Sequence, residues 1–150
     1  PIQTSWEEYV FRGYLMQGIG GIIKNKWIPL LTTSLLFGFL HYWNPEVMKL
    51  GPFLLIHYVT TGLFLGIVTL MDKGMELALG FHAGNNVLIA LLVTADWTVL
   101  QTNSVLISIG EPELFSLLVP LFIIYSIVLV YFSKKYNWKN WKENLTGRFN

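Results

Sequence analysis

The chain has 150 residues, 53% hydrophobic and 15% aromatic but only 13% charged, with 10 Lys+Arg against 9 Asp+Glu for a formal net charge of +1. This composition excludes a disordered chain and lacks the dense basic surface of a nucleic-acid binder, and a mean hydropathy of +0.52 gathered into long runs argues against a soluble globular domain. The absence of cysteine removes disulfides, a cysteine nucleophile and any thiolate metal site.

A helix needs about 20 mostly apolar residues to span a bilayer. The first candidate, residues 4–23, is apolar except for a polar group at Glu7, Glu8 and Arg12. The second, 27–43, is shorter and contains Phe37-Gly-Phe-Leu-His41. The third, 51–71, has His57 as its only ionisable group. The fourth, 74–95, is interrupted by Glu76, His82, Asn85 and Asn86, and the fifth, 113–133, is apolar after Glu113. The runs are continuous rather than alternating, so helices are expected and not a barrel. The predicted fold is all-α, a polytopic transmembrane helix bundle of about five spans. The chain opens on Pro1 almost directly into a helix, without a signal peptide; it reads as a fragment of a longer protein with further helices upstream.

The spans divide the chain into a transmembrane core, 1–133, and a basic aromatic tail, 134–150. Five crossings put Lys24, Lys26, Lys73, Lys134, Lys135, Lys139, Lys142 and Arg148 on one side, with Asp72. Lys49 falls on the other side, with Glu46, Asp96, Glu111 and Pro112, while Arg12 lies inside the first helix. The positive-inside rule makes the lysine-rich side cytoplasmic. In the tail, Trp138, Trp141 and Leu145 fall at helical spacing beside Lys135, Lys139 and Lys142, the composition of a segment lying among lipid headgroups. Two glycine pairs, Gly62 with Gly66 and Gly80 with Gly84, have the spacing that lets helices approach closely in lipid; the second pair brackets His82, so packing there would also fix that side chain.

Charged groups within a span cost on the order of 2.5–3.5 kcal/mol each and are functional candidates. Glu8 and Arg12, four apart, can pair on one helical face. Glu7 is turned about 100° away and has Phe11 at i+4, so it is left for another role. His41 ends the second helix on the side where Glu7 begins the first, which puts the two at similar depth. His82 and Asn86 share a face of the fourth helix. Asn85 points elsewhere and reads as packing or surface; His57 reads as structural.

A carboxylate and an imidazole can share a water, remove its proton and aim it at a carbonyl. A second imidazole and an amide can donate to the oxyanion that forms. The same groups, Glu7, His41 and His82, could instead hold zinc with a water as fourth ligand. The sequence leaves both open; the absence of tight ligand spacing such as H-E-x-x-H favours the metal-free version, without a cofactor. No G-x-S-x-G surrounds any serine, and Asp72 and Asp96 fall at helix ends on opposite sides, which excludes an aspartyl dyad.

Three motifs carry a family resemblance. Glu7-Glu8-Tyr-Val-Phe-Arg12 fits E-E-x-x-x-R, Phe37 to His41 fits F-x-x-x-H, and His82 to Asn86 fits H-x-x-x-N. In this order, each on a hydrophobic helix, they resemble the CAAX prenyl protease type II family, which includes the bacterial CAAX protease and bacteriocin-processing (CPBP, Abi) membrane proteins. The likeness covers residues 5–86. It implies a multi-pass intramembrane endopeptidase, here of a bacterial plasma membrane. The implied partners are the lipid bilayer and a peptide or lipidated (prenylated) protein substrate cut near its C-terminus or leader. It implies Glu7 as general base with His41 its partner on the water, His82 and Asn86 at the oxyanion, and Glu8, Arg12 and Phe37 in support. Prenylated substrates of the family come from the cytosol, whereas Glu7 and His41 lie toward the side opposite the lysines. The alternative to an enzyme is an immunity or scaffold protein that uses the same polar cavity for binding. A transporter fits less well, since no inverted repeat or interrupted helix pair is visible.

Overall fold

A computed structural model describes residues 1–110 and 112–149; Glu111 and Asn150, expected in a loop and at the end of the tail, lie outside the described residues. The first helix runs without a break in three parts: α1 (Ile2–Glu8), π-helical turns over Tyr9–Leu15, and α2 (Met16–Ile23). Its C-terminus closes on Lys24 in the left-handed region, φ 59°. The Asn25 side-chain oxygen then accepts from the backbone N–H of Trp27 and Ile28 at 2.8 and 3.1 Å, two of the donors a new helix start leaves unpaired. That start begins α3 (Trp27–Leu40).

A short α4 (Pro45–Leu50) follows where a loop was expected. Asn44 precedes it in an extended conformation and Pro45 opens it, an arrangement that suits a helix start. Gly51, at φ 86°, turns the chain into a helical turn over Pro52–Leu54 that runs directly into α5 (Leu55–Asp72). Then come α6 (Glu76–Leu92), α7 (Leu114–Lys135) and α8 (Trp141–Thr146). Between α6 and α7, β1 (Val93–Thr94) and β2 (Leu106–Ile107) pair in parallel over two residues each, a connection the apolar periodicity did not reveal.

The fold is all-α apart from that pair. Among the described residues, two helices are long and apolar enough to cross a membrane, Pro52–Asp72 and Leu114–Lys135, with mean hydropathies of 1.9 and 2.5. The apolar helices Trp27–Leu40 and Glu76–Leu92 are shorter: at 1.5 Å per residue they cover roughly 21 and 25 Å against a hydrocarbon core of about 30 Å. The stretch at 27–43 ends early because His41 leaves the helix at φ −91°, ψ 4°. The outer face of α7 carries Phe122, Ile123, Ile124, Ile127 and Val130 exposed, as expected of a surface that meets lipid.

α3 and α5 pack closely. A side chain at Gly38 would meet the Val59 backbone N at 3.0 Å, and one at Gly62 would meet the Ser34 Cα at 3.1 Å. Gly66 likewise faces Leu30, so the 62/66 pair acts as expected. The 80/84 pair does not: Gly80 and Gly84 are exposed and have open space around the missing Cβ. The face of α6 that meets α1 is the one bearing His82, not the glycine face.

An aromatic cluster joins α5, α6 and α7: Phe64 stacks on Tyr125 with centroids 4.2 Å apart, and Phe81 lies 4.8 Å from Phe64. Trp138 was expected among headgroups. It is instead buried against Phe132 and donates from Nε1 to Asp72 Oδ1 at 3.2 Å, because the chain after α7 folds back onto the bundle. Trp141 and most of the lysines stay exposed.

Candidate active site

Glu7 and Glu8 end α1, and both are buried. Their directions differ as the helical geometry requires. Glu8, 0% exposed, accepts from Arg12 Nη1 at 3.1 Å through Oε1, the expected pair. Arg12 is 1% exposed; its Nη2 donates to the Gly62 carbonyl at 3.0 Å, and its guanidinium carbon lies 4.9 Å from the Phe37 ring centroid. Arg12 therefore ties the first helix to α5 and α3 at once.

The same Glu8 oxygen also meets His82 Nδ1 at 2.8 Å. That contact reaches across from α6 and was not foreseen, since helical spacing reveals only partners on the same helix. A ring that donates from Nδ1 to the carboxylate leaves Nε2 to accept in the neutral form and to donate when the ring is doubly protonated. Nε2 faces Glu7 Oε2 at 3.7 Å, beyond a direct hydrogen bond. Glu7 Oε1 accepts from Gln3 Nε2 at 2.9 Å.

His41 sits just past the end of α3. Its Nδ1 bonds the Phe37 carbonyl at 2.7 Å, and its ring lies 4.8 Å from that of Phe37 and 4.2 Å from that of Tyr58. With Nδ1–H donated to a carbonyl, Nε2 carries the lone pair. Phe37 thus serves His41 through its backbone and Arg12 through its ring. Asn86 accepts from the Asn85 amide at 3.5 Å, which leaves its own amide N–H groups to donate. Neither His41 nor Asn86 bonds Glu7 or His82 directly among the described residues.

All four side chains line one cavity of about 600 Å³, with Trp6, Phe11, Leu40, Leu54, Leu65 and Phe81 among its apolar walls. His57 and Asn85, read as structural or surface residues, line it too. So do Glu46 and Tyr58, which the sequence did not single out. Glu46, expected in the loop after the second helix, is 8% exposed and accepts from Tyr58 Oη and from the Val99 N–H, the latter at 3.0 Å. The one available signal was its position next to Asn44-Pro45, which starts a helix. Among the described residues, no three His, Cys, Asp or Glu side chains converge so as to hold a metal ion, and this includes Glu7, His41 and His82.

The family model for type II CAAX prenyl endopeptidase Rce1-like proteins matches residues 2–88, more than half of the chain. A Bacillus subtilis (strain 168) protein named uncharacterized protein YyaK is 38% identical over 116 residues, which is 77% of this chain and 36% of that protein. This chain therefore spans little more than a third of the relative's length. No solved structure matches. The matched region holds Glu7, His41, His82 and Asn86 together, and on that match the chain belongs to the Rce1-like family of type II CAAX prenyl endopeptidases.

Proposed function

We propose that this chain is the catalytic region of a multi-pass intramembrane endopeptidase that hydrolyses peptide bonds near the C-terminus or leader of membrane-associated substrates, prenylated CAAX proteins among them. Residues 1–133 form its membrane core, crossing about five times, and 134–150 its cytoplasmic tail. The observation that supports this reading most is the meeting of Glu7 and His82, from separate helices, at 3.7 Å in a cavity that His41 and Asn86 also line.

In this mechanism a water bound between Glu7 and His41 Nε2 attacks the scissile carbonyl carbon and gives its proton to Glu7. The new C–O bond leaves charge on the carbonyl oxygen. His82 Nε2–H, in the doubly protonated ring that the Glu8 carboxylate accommodates at Nδ1, and the Asn86 amide donate to that oxyanion. Collapse breaks the C–N bond, and Glu7 returns the proton to the leaving amine. The cavity's apolar walls keep other water from screening these interactions.

The test uses the full-length protein in detergent with a farnesylated CAAX peptide. The wild type is expected to release the C-terminal tripeptide. Glu7→Ala and His41→Ala are each expected to lower the rate by about 10²–10⁴-fold while the melting temperature stays near that of the wild type. Full activity in Glu7→Ala would refute the site, and loss of activity with a chelator, together with stoichiometric zinc, would replace the metal-free mechanism.

A further inference from the structure

A second polar cluster lies in the cavity wall, apart from Glu7, Glu8 and His82. Its centre is Glu46 in α4, a buried carboxylate that the catalytic scheme does not use. Its Oε1 accepts from the Tyr58 hydroxyl and from Asn44 Nδ2, the latter at 3.4 Å. Its Oε2 accepts from the Val99 N–H at 3.0 Å. Asn44 Nδ2 also reaches Tyr58 Oη at 3.1 Å. Four segments are thereby tied together: the α3–α4 turn, α4, the start of α5 and the loop after β1.

The ring held by this cluster is the one that meets His41. Tyr58 and His41 stack with centroids 4.2 Å apart and planes 21° apart. His41 needs such support because it has left α3. The Phe37 carbonyl fixes one ring nitrogen, and the Phe37 ring lies 4.8 Å from the imidazole, tilted by 42° and not stacked on it; neither contact sets the imidazole plane as a parallel ring does. A flat partner at stacking distance restrains that plane.

We propose that Tyr58, anchored by Glu46, is a positioning residue that sets the plane of His41 so that Nε2 is presented to the cavity. The proposal rests on the role given to His41 above. A misaimed imidazole weakens the chemical step and not substrate binding, so the effect falls on kcat.

The experiment follows His41 directly in full-length protein carrying isotope-labelled histidine. The chain has 3 histidines, and the His41 ring signal is the one lost in His41→Gln. Stacking on Tyr58 places that signal upfield. In Tyr58→Leu and in Glu46→Ala it is expected to move downfield, and kcat on the farnesylated CAAX peptide is expected to fall about tenfold or more with KM within about twofold. Glu46→Gln keeps an acceptor oxygen for the phenol and is expected to restore both readouts. Tyr58→Phe keeps the ring without its anchor and is expected to fall between. If Tyr58→Leu does not fold, Tyr58→Phe carries the test: an unmoved signal with unchanged kcat overturns the proposal, as does an unmoved signal in Tyr58→Leu and Glu46→Ala. A wild type that cleaves no peptide while Tyr58→Leu still moves the His41 signal overturns the protease reading and leaves the positioning of His41 standing.

Discussion

At Glu8, one carboxylate oxygen serves both Arg12 and His82. Its other oxygen, Oε2, and Arg12 Nε are buried without a hydrogen-bond partner among the described residues. Such a cluster holds only while the charges face one another. Breaking a buried pair by deleting one partner costs about 3–5 kcal/mol, so Arg12→Ala is expected to lower the melting temperature sharply in detergent. Arg12→Lys keeps the charge but cannot both pair with Glu8 and donate to the Gly62 carbonyl as the planar fork does; its melting temperature is expected between the two. Equal stability of Arg12→Ala and wild type would show that the pair contributes nothing. At this scale the sequence was legible where an ionisable group interrupts an apolar helix, as at Glu7, Glu8, Arg12 and His82. It was not legible at Glu46, because a carboxylate between two apolar runs reads as a loop residue, nor at Tyr58, because a tyrosine in an apolar helix reads as core. The double duty of Glu8 was hidden for a different reason: its second partner is 74 residues away.

Between elements, glycine spacing is ambiguous in sequence and decided by tertiary contact. The pairs 62/66 and 80/84 look alike on paper, yet only the first faces a neighbouring helix. Gly38→Ala would place its Cβ against the Val59 side chain and backbone N. Overpacking of this kind costs about 1–3 kcal/mol, so its melting temperature is expected to fall. Gly84→Ala meets open space and is expected to leave stability unchanged or to raise it, by up to about 1 kcal/mol from helix propensity. A fall in Gly84→Ala equal to that in Gly38→Ala would mean that α6 packs through its glycine face after all. The helix positions themselves were legible from apolar run length. The π-helical turns over Tyr9–Leu15 were not: they lie between the carboxylates that meet α6 and the glycine-rich α2, and no local residue preference marks them.

Across the whole molecule, the turns that carry Lys26 and Lys73 meet the basic tail. The Lys26 backbone N–H donates to the Gly147 carbonyl at 3.1 Å, and its ammonium reaches the Glu143 carbonyl at 3.3 Å. Trp138 bonds Asp72 at the α5 terminus, and Phe149 covers Gly20 near the end of α2. The tail, the α2–α3 turn and the α5–α6 turn are thus one surface. Glu46 and Val99 meet at another, beside the cavity wall formed by Thr94, Ala95, Trp97 and Thr98. If lysine density sets the orientation, the tail is cytoplasmic and this part of the cavity wall faces the other way. The 150 residues hold no cysteine, so single substitutions at exposed sites make that measurable once any cysteine outside them is replaced. In intact bacterial cells making the full-length protein, a membrane-impermeant maleimide is expected to label Asp96→Cys at once, and Lys142→Cys only after permeabilisation. The reverse pattern would invert the bundle and turn this part of the cavity wall to the cytosol, the side from which prenylated substrates of the family arrive. The positive-inside bias of these residues would then not set the orientation.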